Sequence, residues 1–533
     1  RSRTSSPYTC RSPYPTHRQG TANQGTVRLI IRRLRATAPA LLLALIQLPA
    51  TPPKLDALFP SGGQRDGTIE VKAIGNFDVW PPEVWTDHDG LKIEAEEKKG
   101  LLSISIKQNA KMHPALIRLF DANGSSNART FVISKLKEAN ESEPNDNTAE
   151  AQEVNATASG TVINGILKKG DSDFFRIALR EGETLVAETN AYSLGSLIDP
   201  FLVMMGPNGH EVAFASDSHN LDPILHYTAK ISGVHYLQLF AVAHPAATAI
   251  GFSGSDSATY RITLTLGALK KKSIQADRGE EDLKDENGSR RFQAPLTVQG
   301  VLTKKLEVDS YVFSAKKGEQ WLVSVDAHRL HLPTDPVLAV YRTNGELLQE
   351  VDDVKPTNDP EYLLKVSADG NYTLRIRDRF GRGGPHLRYR LSVTKPKPEL
   401  SVTVDKEIVV LEANGTAKLK LTLKREQGHA LPLRFAITPP LPLGVSLEDA
   451  NASAKAKTAT ITLRASKDAE PINHAFQLQV FATDESNATK ESLASYSFLT
   501  AKSRGDYLVN KTNHLHLTVV KPAKPKKENA KEE

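Results

Sequence analysis

The chain has 533 residues, too many for one hydrophobic core, and its 39% hydrophobic and 24% charged content is that of ordinary globular modules. Its formal charge of +6 is concentrated at one end: residues 1 to 50 hold eight Arg and no acid, leaving 60 basic against 62 acidic groups in the other 483 residues. A body with a net charge of −2 is excluded, on charge grounds, as a binder of nucleic acid or other polyanions.

Arg28, Arg32, Arg33 and Arg35 precede an apolar run, Ala38 to Ala50, too short to span a bilayer. A charged segment followed by a short apolar one is the pattern of a secretory signal, and the alternative is an apolar first helix. Export is expected, with translation starting near Val27 and cleavage near Ala50. Cys10, the sole cysteine, lies upstream, so the exported body would have no disulfide, no thiol nucleophile and no disulfide-linked partner. No later run reaches about 18 apolar residues, so no membrane span is expected.

From Leu58 to Lys137, alternating runs such as Thr68 to Ile74 and Leu101 to Ile106 are separated by Gly62-Gly63, Asp89-Gly90 and Asn123-Gly124. Period-two alternation closed by turn dipeptides predicts an immunoglobulin-like sandwich over 58–137, with Trp80 and Trp85 as a packing pair around Pro81-Pro82. Most of Glu141 to Leu266 then recurs about 136 residues later. Asp173-Phe174-Phe175 matches Asp309-Ser310-Tyr311, Gly182 matches Gly318, and Asp199-Pro200 matches Asp335-Pro336. Asn208-Gly209 matches Asn344-Gly345, Asp217 matches Asp353, and Tyr236 matches Tyr372. One constant offset over such varied residues reads as a duplicated folding unit.

The first copy is expected over 138–268, including an acidic linker from Glu138 to Asn147, and the second over 291–395. A charged connector, 269–290, reads as exposed or disordered between them. After Phe240 the first copy is longer by seven residues, since Tyr260 matches Tyr389. A further immunoglobulin-like unit spans 398–520, the tail 521–533 is expected to be disordered, and 1–57 holds the upstream segment, signal and a short linker. The predicted fold class is all-β, a multidomain chain of β-sandwiches in which two jelly-roll-like repeats are flanked by immunoglobulin-like units.

Glu143-Pro144-Asn145-Asp146, Gly170-Asp171-Ser172-Asp173-Phe174, the Leu197-Ile198-Asp199-Pro200 turn, the Asn208-Gly209 hairpin and Gly233-Val234-His235-Tyr236 stand in one family's order. On these motifs the two repeats resemble the bacterial pre-peptidase C-terminal (PPC) domain, although the second lacks the Glu-Pro-Asn-Asp. Leu58 to Arg65 resembles the opening of exported multidomain proteins of planctomycete bacteria. The resemblance implies accessory sandwiches of secreted proteases, with relatives that bind calcium and collagen. Carried over by motif, it implies a Ca²⁺ site from Glu141, Glu143, Asn145 and Asp146 of the linker with Asp171 and Asp173 of the first turn. Clustered hard oxygens suit that ion, and a solvated acidic linker is the alternative. The second repeat has Lys304, Lys305, Glu307 and Asp309 in the matching turn, and no equivalent metal is expected there.

Catalytic chemistry is not legible. Gly251-Phe252-Ser253-Gly254-Ser255 fails the nucleophile-elbow pattern at its last position. His328 and His331 read as turn histidines, and His235, beside Tyr236, is expected to face away from the core. Asp217 and Asp353 read as turn caps. Arg375, Arg377, Arg379 and Arg382 form a basic patch that either contacts an anionic ligand or is a solvated strand face. The expected protein is exported, periplasmic or at the cell surface, noncatalytic, and binds or spaces an extracellular or envelope protein or polysaccharide. The alternatives are domains assisting a separately encoded protease, or a glycan-active enzyme using a pair such as Asp217 and Glu188.

Overall fold

The computed structural model describes residues 51–521, apart from 219–220, 245–250, 268–273, 287, 331, 355–356, 484–487 and 500–507. The expected signal segment, the start near Val27, Cys10, His219, His331 and residues 522–533 lie outside the described residues.

The fold is all-β: four two-sheet sandwiches follow one another, and among the described residues the only helical pieces are short 3₁₀ turns. Alternation decides which side of each strand enters a core. In Leu101–Ile106, for example, Leu102, Ile104 and Ile106 are buried while Ser103 and Ser105 are half-exposed. Each sandwich closes over its own apolar cluster.

The two central sandwiches share one strand order. In the first, one sheet runs Lys137–Asn140, Thr161–Ile166, Thr259–Leu266, Thr184–Asn190 and Ile224–Thr228. Its other sheet runs Gln152–Glu153, Ser172–Leu179, Gly233–Ala243, Ile198–Met205 and Glu211–Ala215. The second sandwich repeats this strand for strand. Asn208-Gly209 and Asn344-Gly345 close matching hairpins, with Gly209 and Gly345 at φ +77° and +83°, backbone that glycine adopts without strain.

Two expectations about the repeat change. The connector is not outside the second sandwich from Arg278 onward: Arg278–Gly279 and Arg290–Phe292 pair in parallel as the first strands of its two sheets. Nor does one offset hold throughout. Phe175 faces Leu237 and Tyr311 faces Leu374, so the copies are 136 apart on one strand and 137 on its neighbour. The structural counterpart of Tyr372 is therefore His235, not Tyr236. A slip of one residue reverses every side chain. His235 is fully buried and Tyr236 faces outward, half-buried, the opposite of the sequence expectation.

The first and last sandwiches meet. Arg118, on Ala115–Asp121, is 1% exposed and pairs with Glu407 of the last sandwich at 2.5 Å. Trp80 packs on Phe77, whereas Trp85 lies against His514 and under Arg118, so the two Trp are not the expected pair.

Candidate metal centre

The linker before the first repeat is a structural element. Lys137–Asn140 adds to one sheet, Gln152–Glu153 adds to the other, and the chain between them passes over the start of Ser172–Leu179. The Phe174 N–H donates to the Asn145 carbonyl at 2.8 Å, which ties this passage to the strand. Oxygens of Glu143, Asp171 and Asp173 consequently lie within 4.8 Å of one another. Asp146 sits beside Asp171, and Glu143 and Asp146 line the same surface cleft.

Asn145 is fully buried with neither Oδ1 nor Nδ2 hydrogen-bonded, and Asp173, also fully buried, has an unpartnered Oδ1. Leaving such groups dry and unpaired costs several kcal/mol. Glu141 stands behind them: its Oε1 accepts the Ile166 N–H at 2.6 Å and its Oε2 the Tyr260 hydroxyl at 2.5 Å. Tyr260 also lies 2.5 Å from Asp173 Oδ2. One hydroxyl proton cannot serve two carboxylates, so this arrangement retains a further proton or requires a positive charge. Burial, and then Glu141, pushes the Asp173 carboxyl up to about 9. Burial, ahead of neighbouring charge, also raises Glu141, Glu143 and Asp171.

The second repeat solves the same electrostatic problem internally. Glu280 takes the place of Glu141, accepting the Val301 N–H at 2.9 Å, and Asp309 and Tyr389 take the places of Asp173 and Tyr260. Arg290 lies between the acids, 3.1 Å from Asp309 Oδ1 and 3.0 Å from Glu280 Oε2. The Asp309 oxygen corresponding to the unpartnered oxygen of Asp173 is therefore neutralised by a guanidinium. Among the described residues the first repeat supplies no cation at that point, and a hard-oxygen set of Glu143, Asn145, Asp146, Asp171 and Asp173 suits Ca²⁺. Of the six residues named from the sequence, Glu141 alone has both oxygens engaged elsewhere. Sequence reasoning missed Arg290 and Glu280 because they lie in the segment read as a connector.

The remaining candidates are dispersed. Arg375, Arg377 and Arg379 alternate on one face. Arg375 stacks on Tyr341, Arg377 pairs with Glu350, Arg379 pairs with Asp352, and Arg382 in the following turn pairs with Asp378. Two acids not singled out from the sequence, Asp222 and Asp359, act as turn caps. Each of these accepts three successive backbone N–H groups of a 3₁₀ turn. Asp217, in left-handed backbone at φ +42°, lies beside Asp199. Glu188 belongs to the opposite sheet from Asp199.

No family model matches the chain. A stretch of 98 residues is 26% identical to a probable subtilase-type serine protease of Deinococcus radiodurans, covering 18% of this chain and 14% of the protease. This chain thus corresponds to a small part of that relative's length. Among solved structures, the pre-peptidase C-terminal domain of a Bacillus anthracis collagenase is matched over its whole length and 23% of this chain, at 14% identity and a TM-score of 0.17. Domains 4 and 5 of the S-layer protein SbsC match at 13% identity and a TM-score of 0.15, over 35% of this chain and 77% of that one. The four N-terminal immunoglobulin domains of a Dscam1 isoform match over 89% of this chain and 98% of that one, at 9% identity and a TM-score of 0.20. No helix among the described residues is long and apolar enough to cross a membrane.

Proposed function

We propose that this chain is an exported, noncatalytic holder whose β-sandwiches present loops and sheet faces to a protein or polysaccharide at the cell envelope, with one Ca²⁺ bound by the first repeat. The observation that carries the calcium part is the contrast at one position: Arg290 between Asp309 and Glu280 in one copy, and an unpartnered, buried Asp173 oxygen in the other. Glu143, Asn145, Asp146, Asp171 and Asp173 would hold the ion, which supplies charge neutralisation and docks the linker onto the sandwich. A docked linker makes the junction between the N-terminal sandwich and the first repeat stiff, which is what a spacer requires.

Thermal unfolding of the full chain in EDTA and in millimolar CaCl₂ tests this. Calcium should stabilise the first repeat by RT ln(1 + [L]/Kd) and raise its transition accordingly. An unchanged transition, with no calcium retained on equilibrium dialysis, would remove the metal from the proposal. A second reading, accessory modules for a secreted protease, is favoured by the 98-residue similarity to the subtilase-type protein. It is tested by whether the purified chain changes the stability or activity of a secreted protease from the same organism.

A further inference from the structure

The outer faces of the matched sheets differ in a way that the fold does not require. Opposite Val337 in the second repeat stands Arg377, which pairs with Glu350 at 3.1 Å. The corresponding residues in the first repeat are Phe201, Phe240 and Phe214. Phe240 stacks on Phe201 at 5.3 Å and 7°, and Phe214 adds to the other side of Phe201 at 5.8 Å. Phe252, from the loop that is longer in this copy, stacks on Phe240 at 4.8 Å. A salt-bridged face in one copy is thus a row of four rings in the other. Phe214 and Phe252 are left 52% and 44% exposed, and Val212 41%.

The same exchange removes a cation. In the second repeat Arg379 pairs with Asp352 and lies 3.8 Å from Asp353, beside Asp335. Its counterpart is Val242, opposite Asp199. Asp199 has a buried, unpartnered Oδ1, as Asp335 does, but its charged neighbours are Asp217, Asp222 and, beside Asp217, His244, with no guanidinium among them; burial followed by Asp217 pushes it up to about 7. Asp199 and Phe201 lie two residues apart on the same face of one strand, whereas the rings run across neighbouring strands, so the acid pair flanks the row beside Phe201.

These features define a partner. The exposed apolar area is on the order of 300 Å², short of the roughly 800 Å² per partner that a stable dimer buries. Stacking among Phe201, Phe240 and Phe252 occupies ring faces that a sugar would need, and the adjacent acid pair calls for a cation, which a peptide can carry. The row is up to roughly 16 Å long, about five residues of extended chain. We infer that this face binds an extended peptide segment with alternating apolar side chains and a Lys or Arg, whose cation takes by Asp199 and Asp217 the place that Arg379 holds in the second repeat. This rests on the reading of the chain as a noncatalytic holder and names the chemistry of one partner.

The test uses the full chain and two fluorescein-labelled peptides, Lys-Thr-Val-Thr-Phe-Thr-Val and the same sequence with Glu in place of Lys. Anisotropy should show saturable binding of the Lys peptide below about 1 mM, at least about tenfold weaker binding of the Glu peptide, and tightening from pH 6 to pH 8 as Asp199 ionises. The double variant Phe214→Glu, Phe240→Arg, which copies residues the second repeat already carries, should keep its unfolding midpoint and lose the binding. Equal affinity for both peptides, binding retained by the variant, or no saturable binding would overturn the inference. So would self-association of the wild-type chain that the variant lacks, since the occupant would then be a second copy. Mass spectrometry of the recovered peptide separates the two readings: cleavage would overturn the noncatalytic holder, whereas an intact, unbound peptide overturns only this surface.

Discussion

Replacing Arg290 with Met tests the reasoning behind the candidate metal centre in the copy where a guanidinium stands between the acids. Asp309 and Glu280 are 1% and 7% exposed, and Arg290 reaches them at 3.1 and 3.0 Å. Met keeps most of the aliphatic volume and removes the charge. Deleting one partner of such a buried set costs about 3–5 kcal/mol. For a sandwich of this size, that is a fall in midpoint of roughly 10–20 °C. The loss should shrink in acid. Glu280 is already pushed up to about 7 by burial and then by Asp309, and without the guanidinium both acids rise further, so the folded state binds protons that the unfolded state does not. Stability of the variant should therefore fall as pH rises from 5 to 8, more steeply than in the wild type. Hydrogen exchange on Leu296–Val301 and Val308–Ala315, read beside calorimetry, localises the effect to the second repeat. A fall of less than about 3 °C at pH 8 would mean that these buried carboxylates tolerate the absence of a cation. The inference from Arg290 to calcium at Asp173 would then be refuted.

The metal-free first repeat should obey the same sign. Because Asp173 is raised from 3.8 to about 9, folding takes up a proton between those values, and in EDTA the midpoint should fall as pH rises from 5 to 8. Excess calcium, or Asp173→Asn, should flatten that slope, and a flat slope in EDTA for the wild type would contradict the assignment. Arg118→Ala leaves Glu407 buried without its partner and should cost about 3–5 kcal/mol, seen as a lowered midpoint and faster exchange in both end sandwiches; a change under about 1 kcal/mol would show the pair to be dispensable. His516 is lowered from 6.5 to about 4 by burial, then Arg118 and His474, so its contribution is intact above pH 6.5 and is lost as pH falls through 4, about 3 kcal/mol in all. Glu407, raised by burial, opposes this in part. Protection factors at Leu515–Val520, taken against the intrinsic exchange rate at each pH, should fall between pH 6.5 and 4 in the wild type and less so in His516→Gln; identical profiles would exclude His516 as the cause.

Strand positions, hairpin turns and the existence of a duplicated unit follow from the sequence alone, because period-two alternation and Asn-Gly turns are local properties of a chain. The acids that the fold brings together, Glu143, Asp171 and Asp173, were readable for a similar reason: they lie in short contiguous motifs. Tertiary structure decided what depends on pairing between distant segments. The one-residue ambiguity of a matched Tyr was resolved only by sheet register, which buries His235 and turns Tyr236 outward. Arg290 looked like one charge in a polar connector, and only the parallel pairing of its strand brings it to Asp309. The meeting of Arg118 with Glu407, 289 positions apart, had no local signature. Periodicity tells each side chain which face it occupies; it carries no information about which opposite charge, or which missing one, that face will meet.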